Sequence, residues 1–299
     1  MGMKGKQFHG YQKESSYFEG WYVKHQCGEQ TLALIPGIHM DRWGNKKAFI
    51  QVITQREAHF LEYPYESFRV KPSGFAVKVG ESVFSEKGCH LYLSAPGFTL
   101  YGTLRYGPFS PLCYDIMGPL KAVPFLQCNH GVLSMSHSLR GELTLNGETI
   151  RFTGGEGYIE KDWGSSFPQE YLWTQCGGMA EGRSVVAMAA QIPVAGAAFY
   201  GCTAAVIDCG QEYRLATYLG AQILEMDERT LHLRQRGLRL RVDLLEGTPL
   251  ELKAPRLGEM DRLVRESPAC RVRYRFYEND RLRFDLESGG AGFESAGLE

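Results

Sequence analysis

Residues 157–175 read GYIEKDWGSSFPQEYLWTQ, and the interpretation of the whole chain starts from this stretch. Side chains of an extended strand alternate between its two faces, so Glu160 and Asp162 share one face and Lys161 lies on the other. The same stretch contains two tryptophans, a tyrosine and a Gly-Ser-Ser turn. Two interpretations are open: a connection whose aromatic rings cap a neighbouring core, or a pocket mouth where acids face an apolar ligand.

Outward from this stretch, alternation of apolar and polar residues recurs, whereas helical periodicity is scarce. Examples are FAVKV (75–79), CHLYL (89–93), LRLRV (238–242) and RVRYRF (271–276). Each fits a half-buried strand, and turn-forming segments such as LNGE (145–148) are typical of antiparallel connections. The chain is therefore predicted to be mostly β, with antiparallel meanders that curl into barrels or sandwiches.

One order of segments occurs twice. An aromatic strand at Trp21 leads through a polar turn to an apolar strand with an Ile-Pro pair, and then to a strand that starts with Ala-Phe. The same order follows Trp173. Repetition of this kind is typical of duplicated units. It predicts two β domains of similar topology, residues 1–158 and residues 159–299.

Composition narrows the class of partner. Of 299 residues, 43% are hydrophobic and 22% are charged, and the formal net charge is −1 at pH 7. These values are typical of a soluble globular protein. The sequence contains no basic tract and no acidic tail, which argues against nucleic acid as a partner.

The sequence also bears on location and on the thiols. The first residues lack the apolar segment of a signal peptide, and Gln191 and Pro193 interrupt the apolar run at 185–207, which is interpreted as two buried strands. We therefore predict no transmembrane segment and a cytoplasmic location, while a transient membrane contact and the oligomeric state stay open. The eight cysteines include no CxxC pair and are expected to be buried free thiols.

Motifs of well-known enzyme classes are missing from the sequence. GGMAEG (177–182) is glycine-rich but lies in a predicted hairpin turn, so it does not cradle a phosphate. Neither GxSxG nor HExxH occurs. His130 and His137 are separated by an odd number of residues and fall on opposite faces of a regular strand, which disfavours a metal pair. No metal and no cofactor are therefore expected.

Carboxylates beside aromatic rings remain as candidate chemistry. Glu19 and Trp21 share a face if their segment is extended. Glu160 and Asp162 near apolar rings would have their pKa values pushed apart, so that one could stay protonated and act as an acid. The alternative is structural: either carboxylate pairs with Lys161, with a lysine at position 24 or with an arginine at the domain junction.

Two further segments carry expectations. Residues 107–131 contain four prolines, which exclude a regular central strand. A connection of this length is expected to cover a cavity or to pack between domains. The last residues, 288–299, read SGGAGFESAGLE and are expected to be partly disordered.

Several of these motifs together resemble the tocopherol cyclase-like family, which is related to lipocalin-like proteins that include carotenoid 1,2-hydratase and AttH-like proteins. The motifs are FEGWYVKHQ (18–26), LIPGIH (34–39), AFIQVI (48–53), MGP (117–119), CNHGVLSMSHSLRG (128–141) and the stretch 157–175. They cover about the first two thirds of the chain. The resemblance implies an all-β fold of two lipocalin-like antiparallel β-barrel domains packed together, with an apolar cavity or cleft.

The resemblance also implies a reaction. Plant members cyclise a prenylated hydroquinone: a prenyl double bond is protonated, and the phenol oxygen attacks the resulting cation to close a chroman ring. Such chemistry needs an acid, a dry pocket and aromatic faces that stabilise positive charge. At Glu170 and Leu172 this chain departs from an aromatic cluster of the plant proteins, which leaves the substrate open.

The candidate residues follow from this chemistry and not from a family assignment. The candidate catalytic acids are Glu19, Glu160 and Asp162. The candidate ligand-binding residues are the aromatic walls and the possible partners of a ligand hydroxyl: Trp21, Tyr22, Trp163, Tyr171, Trp173, His130, His137 and Gln175. Three functions result: binding of a hydrophobic isoprenoid or polyketide-like ligand with acid-initiated cyclisation, as an isomerase; a carrier without catalysis; or a hydratase-like lyase.

Overall fold

The computed structural model describes residues 8–123, 126–194 and 197–298. Within them the chain forms antiparallel β-strands and short 3-10 helices, and no α-helix. The first sheet contains β1 (Tyr17–Cys27), β2 (Gln30–Met40), β3 (Lys46–Thr54), β4 (Ala58–Pro64), β5 (Phe68–Val70), β6 (Ala76–Val79), β7 (Ser82–Ser85), β8 (Gly88–Ala95), β9 (Phe98–Tyr106), β10 (Cys128–Leu145), β11 (Glu148–Arg151) and β12 (Glu156–Gly164).

The remaining strands form the second sheet. They are β13 (Tyr171–Met179), β14 (Arg183–Val194), β15 (Ala197–Asp208), β16 (Gln211–Ala216), β17 (Gln222–Met226), β18 (Thr230–Gln235), β19 (Leu238–Glu246), β20 (Leu250–Arg256), β21 (Glu259–Glu278) and β22 (Arg281–Ala296). The 3-10 helices are Gly10–Gln12, Tyr65–Ser67, Gly118–Ala122, Ala180–Gly182 and Thr217–Leu219. The all-β prediction is confirmed.

The strand order of the second sheet repeats that of the first sheet from β4 to β7, and β6 and β5 have no counterpart. The first runs β4-β3-β2-β1-β12-β10-β9-β8-β7-β6-β5, and the second runs β16-β15-β14-β13-β22-β21-β19-β18-β17. Trp21 in β1 therefore corresponds to Trp173 in β13, and Pro36 in β2 corresponds to Pro193 in β14. The predicted repetition of topology is confirmed.

Neither sheet is closed into a barrel, which corrects that part of the prediction. In each sheet the two end strands follow one another in the chain, β4 and β5 in the first and β16 and β17 in the second, yet no ladder joins them in the described residues. A 3-10 helix separates each pair, at Tyr65–Ser67 and at Thr217–Leu219. Pro64 ends β4 and lacks the N–H that a closing ladder would need. The fold is a pair of curved, lipocalin-like sheets with open seams.

In the part of the chain that the structure describes, apolar side chains form three cores. One lies inside the first sheet, one inside the second, and the third lies between the sheets. Alternation along β1 shows the division, because Trp21 and Val23 enter the first core whereas Tyr22 enters the core between the sheets. The outer faces of the two sheets are thus buried against each other.

The chain crosses from one sheet to the other at residues 165–170, between the end of β12 and the start of β13. β12 pairs with both β1 and β10 and so completes the first sheet, and β13 begins the second. The predicted boundary after residue 158 falls inside β12. As a division into independent domains, it stays a prediction.

The structure also bears on other predictions made from the sequence. The run at 185–207 forms β14 and β15, as expected. All eight cysteines are free; four are buried, but Cys113 and Cys209 are exposed. The C-terminal segment is not disordered, which corrects that prediction: β22 reaches Ala296, pairs with β13 and buries Phe293. In the part of the chain that the structure describes, no helix has the length and apolarity needed to cross a membrane.

Candidate functional site

A cavity of about 180 Å³ lies between the two sheets. Its walls come from β1, β2, β3, β10 and β12 of the first sheet and from β13, β14, β15, β20, β21 and β22 of the second. Most of the lining is apolar or aromatic. The predicted covering segment contributes Met117 and Leu120, while residues 124 and 125 of that segment lie outside the described residues. The sequence left open whether a cavity lies inside one unit or between two, and the structure places it between the sheets.

Strand register brings the polar groups of the first wall together. Tyr22 of β1 is opposite Glu160 of β12, and Gly20 of β1 is opposite Asp162 of β12. On the other side of β12, Asp162 is opposite His130 of β10. Directly opposed residues share a face. These side chains therefore point together into the cavity, with Lys161 on the reverse face as predicted.

Glu160 is a buried carboxyl with three polar neighbours. Tyr158 donates its hydroxyl, and Trp173 of the second sheet donates its indole N–H at 3.1 Å, to Glu160 Oε2. His130 Nε2 lies 3.6 Å from the same oxygen. Burial raises the pKa of Glu160 to about 7, against the opposing effect of the His130 charge. A carboxyl with this pKa is partly protonated at neutral pH and can donate a proton.

His130 lies between two carboxyl groups. Its Nδ1 is 2.8 Å from Asp162 Oδ1. Burial alone would lower the pKa of this imidazole, but the negative charges of Glu160 and Asp162 outweigh burial and raise the pKa to about 9. His130, Glu160 and Asp162 each offer one ligand atom, all within 4.8 Å of one another, so these residues could hold a metal ion.

The second wall carries two carboxyl groups that the sequence analysis missed. Glu266 Oε1 accepts a hydrogen bond from the Tyr22 hydroxyl at 2.7 Å, and Glu294 Oε1 accepts one from the Tyr171 hydroxyl. Burial raises the pKa of Glu266 to about 8 and that of Glu294 to about 7. One signal could have revealed Glu266, because it shares strand parity with the apolar Val264. Glu294 was hidden because its segment was expected to be disordered.

Glu19, the third predicted acid, lies elsewhere. It points into the first sheet, where Lys161 Nζ is 2.9 Å from Oε1 and the Tyr17 hydroxyl is 2.6 Å from Oε2. Burial would raise the pKa of Glu19, but the hydrogen bond from His9 and the charge of Lys161 lower it overall. Trp21 and Trp163 flank the same ammonium group, with ring centroids at 5.6 and 4.6 Å.

His137 and Gln175 are also apart from the cavity. The His137 ring packs against Tyr106 and Phe109, and its Nδ1 is 3.0 Å from Ser134 Oγ. Burial lowers the pKa of His137 to about 3. Gln175 Oε1 accepts a hydrogen bond from Lys24 Nζ at 3.3 Å.

The predicted site residues therefore fall into two groups. One group lines the cavity: Tyr22, His130, Glu160, Asp162, Tyr171 and Trp173. The other is not among the described residues that line it: Glu19, Trp21, His137, Trp163 and Gln175. The structural alternative, in which Lys161 pairs with Glu160 or Asp162, is not what the structure shows, because Lys161 pairs with Glu19 on the reverse face.

Fold and site together define a class: an all-β protein of two antiparallel sheets with a carboxyl-bearing apolar cavity between them. The family model described as tocopherol cyclase-like matches residues 104–201. A protein named "Probable tocopherol cyclase, chloroplastic" from Oryza sativa subsp. japonica is 30% identical over 73 residues, which are 24% of this chain and 16% of the rice protein. The chloroplastic tocopherol cyclase of Zea mays is 34% identical over 59 residues, which are 20% of this chain and 12% of the maize protein. These matches confirm the resemblance to the tocopherol cyclase-like family.

Solved structures share the fold over nearly the whole chain. An AttH-type protein from Nitrosomonas europaea has a TM-score of 0.58 at 14% identity, and the alignment covers 99% of each chain. Kievitone hydratase from Nectria haematococca has a TM-score of 0.53 at 11% identity, with 94% of this chain and 89% of that chain covered. CghA has a TM-score of 0.54 at 12% identity, with 94% and 88% covered.

Proposed function

We propose that the protein binds a hydrophobic prenylated or isoprenoid ligand in the cavity between the sheets and catalyses acid-initiated cyclisation of a prenylquinol to a chroman. The observation that carries this proposal is Glu160, a buried carboxyl on an apolar wall whose pKa is raised to about 7. Resemblance to the tocopherol cyclase-like family supports the substrate class. Glu19 is left outside the reaction, because its ion pair with Lys161 faces the interior of the first sheet.

Glu160 would act as the proton donor. Its proton passes to a carbon of the prenyl double bond, and the new carboxylate keeps the hydrogen bonds from Tyr158 and Trp173 beside the charged His130. All three neighbours favour the ionised product, which makes Glu160 a stronger acid than burial alone would allow. Asp162 holds His130 in place through Nδ1.

The walls would stabilise the cation that follows. Tyr22 and Trp173 stand edge to face with ring centroids 5.3 Å apart, and both line the cavity. Faces of such rings attract positive charge, more strongly when water is excluded. The phenol oxygen of the ligand then attacks the cation and closes the ring.

Replacement of Glu160 by glutamine tests the proposal. The Glu160→Gln variant keeps the size of the side chain and removes the acid, so we expect chroman formation from a prenylated hydroquinone to fall by about 100-fold or more. Product is measured by liquid chromatography with mass spectrometry, and ligand affinity by quenching of tryptophan fluorescence. Affinity is expected to change little, since the apolar walls remain.

Glu251→Gln is the matched control, because Glu251 is exposed on β20. If Glu160→Gln cyclised the quinol at the rate of the unaltered protein, the assignment of the acid would be refuted. Tight binding without turnover in the unaltered protein would favour the carrier. A tertiary alcohol in place of the chroman would favour the hydratase-like lyase.

A further inference from the structure

The wall contributed by the second sheet carries a pair of carboxyl groups. Glu266 of β21 is directly opposite Glu294 of β22 in the antiparallel ladder, so both side chains project from the same face. Both line the cavity, and their side chains are 2% and 8% exposed. Two carboxyl groups on directly opposed residues of a buried site do not both ionise readily, because like charges repel and water is excluded. The pair therefore tends to hold one proton between two groups.

Aromatic side chains connect this pair to the acid on the opposite wall. Tyr22 of the first sheet donates its hydroxyl to Glu266, which fixes the pair against the wall that carries Glu160. Trp173 is opposite Glu294 in the ladder between β13 and β22, yet its indole N–H is donated to Glu160. Tyr22 thus contacts the pair, Trp173 contacts Glu160, and the two rings adjoin each other on the cavity wall.

An unsatisfied polar atom in the same cavity points to an oxygen on the ligand. His130 is 4% exposed and lines the cavity, and its Nε2, which lies 3.6 Å from Glu160 Oε2, makes no hydrogen bond among the described residues. A hydroxyl group of a bound ligand would supply that partner and would bring its O–H bond into the space between the walls. Outside the pair, the charge of Lys24 acts on Glu266, and the charges of Asp162, Glu160 and Arg262 act on Glu294.

We propose that Glu266 and Glu294 together are the base of the reaction, so that a proton enters from one sheet and leaves to the other. The proposal rests on the proposed function. Glu160 gives its proton to one carbon of the double bond, and the π electron pair becomes the new C–H bond. The ligand's hydroxyl oxygen attacks the other carbon to form a C–O bond, and its proton passes to the carboxylate of the pair.

The step balances without an oxidant or a reductant. Glu160 loses one proton and the Glu266–Glu294 pair gains one, and exchange with solvent restores both groups between turnovers. The substrate class follows from the geometry: a molecule that carries a double bond and a hydroxyl group close enough to span the rings of Tyr22 and Trp173. Water could replace the hydroxyl as the attacking oxygen, and the pair would accept its proton in the same way.

Deuterium labelling separates the two roles. The unaltered protein and the variants Glu160→Gln, Glu266→Gln and Glu294→Gln are incubated with a prenylated hydroquinone in D2O. We expect the Glu266 and Glu294 variants to lose about 100-fold in ring closure, because no base accepts the phenolic proton, while deuterium still enters the recovered quinol by reversible protonation. The Glu160→Gln variant is expected to lose both ring closure and deuterium incorporation. Ring closure at an unchanged rate in Glu266→Gln and Glu294→Gln would overturn the proposal.

A second readout does not depend on turnover. The infrared C=O stretch of protonated carboxyl groups is followed against pH in the unaltered protein and in Glu294→Gln, with Glu251→Gln as the control. Removal of the neighbouring charge is expected to move the titration of Glu266 to lower pH. An unmoved titration would show that the two groups are not coupled and would also overturn the proposal. If the unaltered protein neither cyclises nor exchanges while the titration moves, the proposed function fails and the carboxyl pair stands.

Discussion

At the scale of single residues, the cavity is set by carboxyl groups that favour the protonated form. Burial raises the pKa of Glu160 and of Glu294 to about 7 and that of Glu266 to about 8. In an unfolded chain a glutamate carboxyl group has a pKa of about 4.3. At these three carboxyl groups the folded protein therefore binds more protons than the unfolded chain across this interval. His25 and His137 act in the opposite direction below about pH 6.5, because burial lowers their pKa values to about 4 and about 3.

This difference predicts how stability depends on pH. Stability from a raised pKa is fully present below the unfolded value and is lost as pH rises through the folded value. Above about pH 6.5 His25 and His137 are largely neutral in both states, so the free energy of unfolding should fall from about pH 6.5 to about pH 8. His130 acts in the same direction, because its pKa is raised to about 9. Glu19, with a lowered pKa, loses its contribution only at more acidic pH. Urea unfolding at a series of pH values measures the slope.

Variants test whether the carboxyl groups of the cavity cause this pH dependence of the free energy of unfolding. Glu266→Gln should flatten the pH dependence between about pH 6.5 and about pH 8, since a glutamine does not titrate, whereas Glu251→Gln on the surface should leave it unchanged. A free energy of unfolding that stayed level or increased over this interval in the unaltered protein would contradict the expectation.

At the scale of elements, β22 connects the core of the second sheet to the cavity. Alternation along the strand puts Phe293 into the second core and Glu294 into the cavity wall. Phe293→Ala should therefore lower the free energy of unfolding by about 3–5 kcal/mol, because a buried ring is replaced by a void. Leu282→Ala on the same strand is the control, since Leu282 is 53% exposed and its truncation should cost less than about 0.5 kcal/mol.

Chemical denaturation measures both β22 variants. Equal losses in the two would show that the described burial of Phe293 does not determine stability. Ligand affinity is a second measurement, because a change in the packing of β22 also displaces Glu294. Ligand affinity in Phe293→Ala should weaken more than in Leu282→Ala.

At the scale of the whole molecule, the sequence could reveal features that depend on local periodicity. It could not reveal features that depend on pairing between distant residues. Alternation placed Glu160 and Asp162 on one face and Lys161 on the other, and the repeated segments revealed a shared topology. Alternation could not say which face turns inward, so Glu19 was grouped with acids from which the sheet itself separates it. The bond from Tyr22 to Glu266 joins residues 244 positions apart. Local pattern carries no signal for a pairing of that kind.

The position of β12 predicts how the chain tolerates being divided. Because β12 lies between β1 and β10, a break after residue 158 removes Glu160 and Asp162 from the first sheet and leaves β1 and β10 without most of their ladders to β12. A break between Phe167 and Pro168 leaves both sheets whole, and the apolar core between them should hold the fragments together. Co-expressed fragments split at 167/168 should co-purify and melt in one transition, whereas fragments split at 158/159 should aggregate or fail to associate. Co-purification and circular dichroism decide the outcome. Two fragments split at 158/159 that each folded alone would show that residues 1–158 and 159–299 are independent domains and that β12 is dispensable to the first sheet.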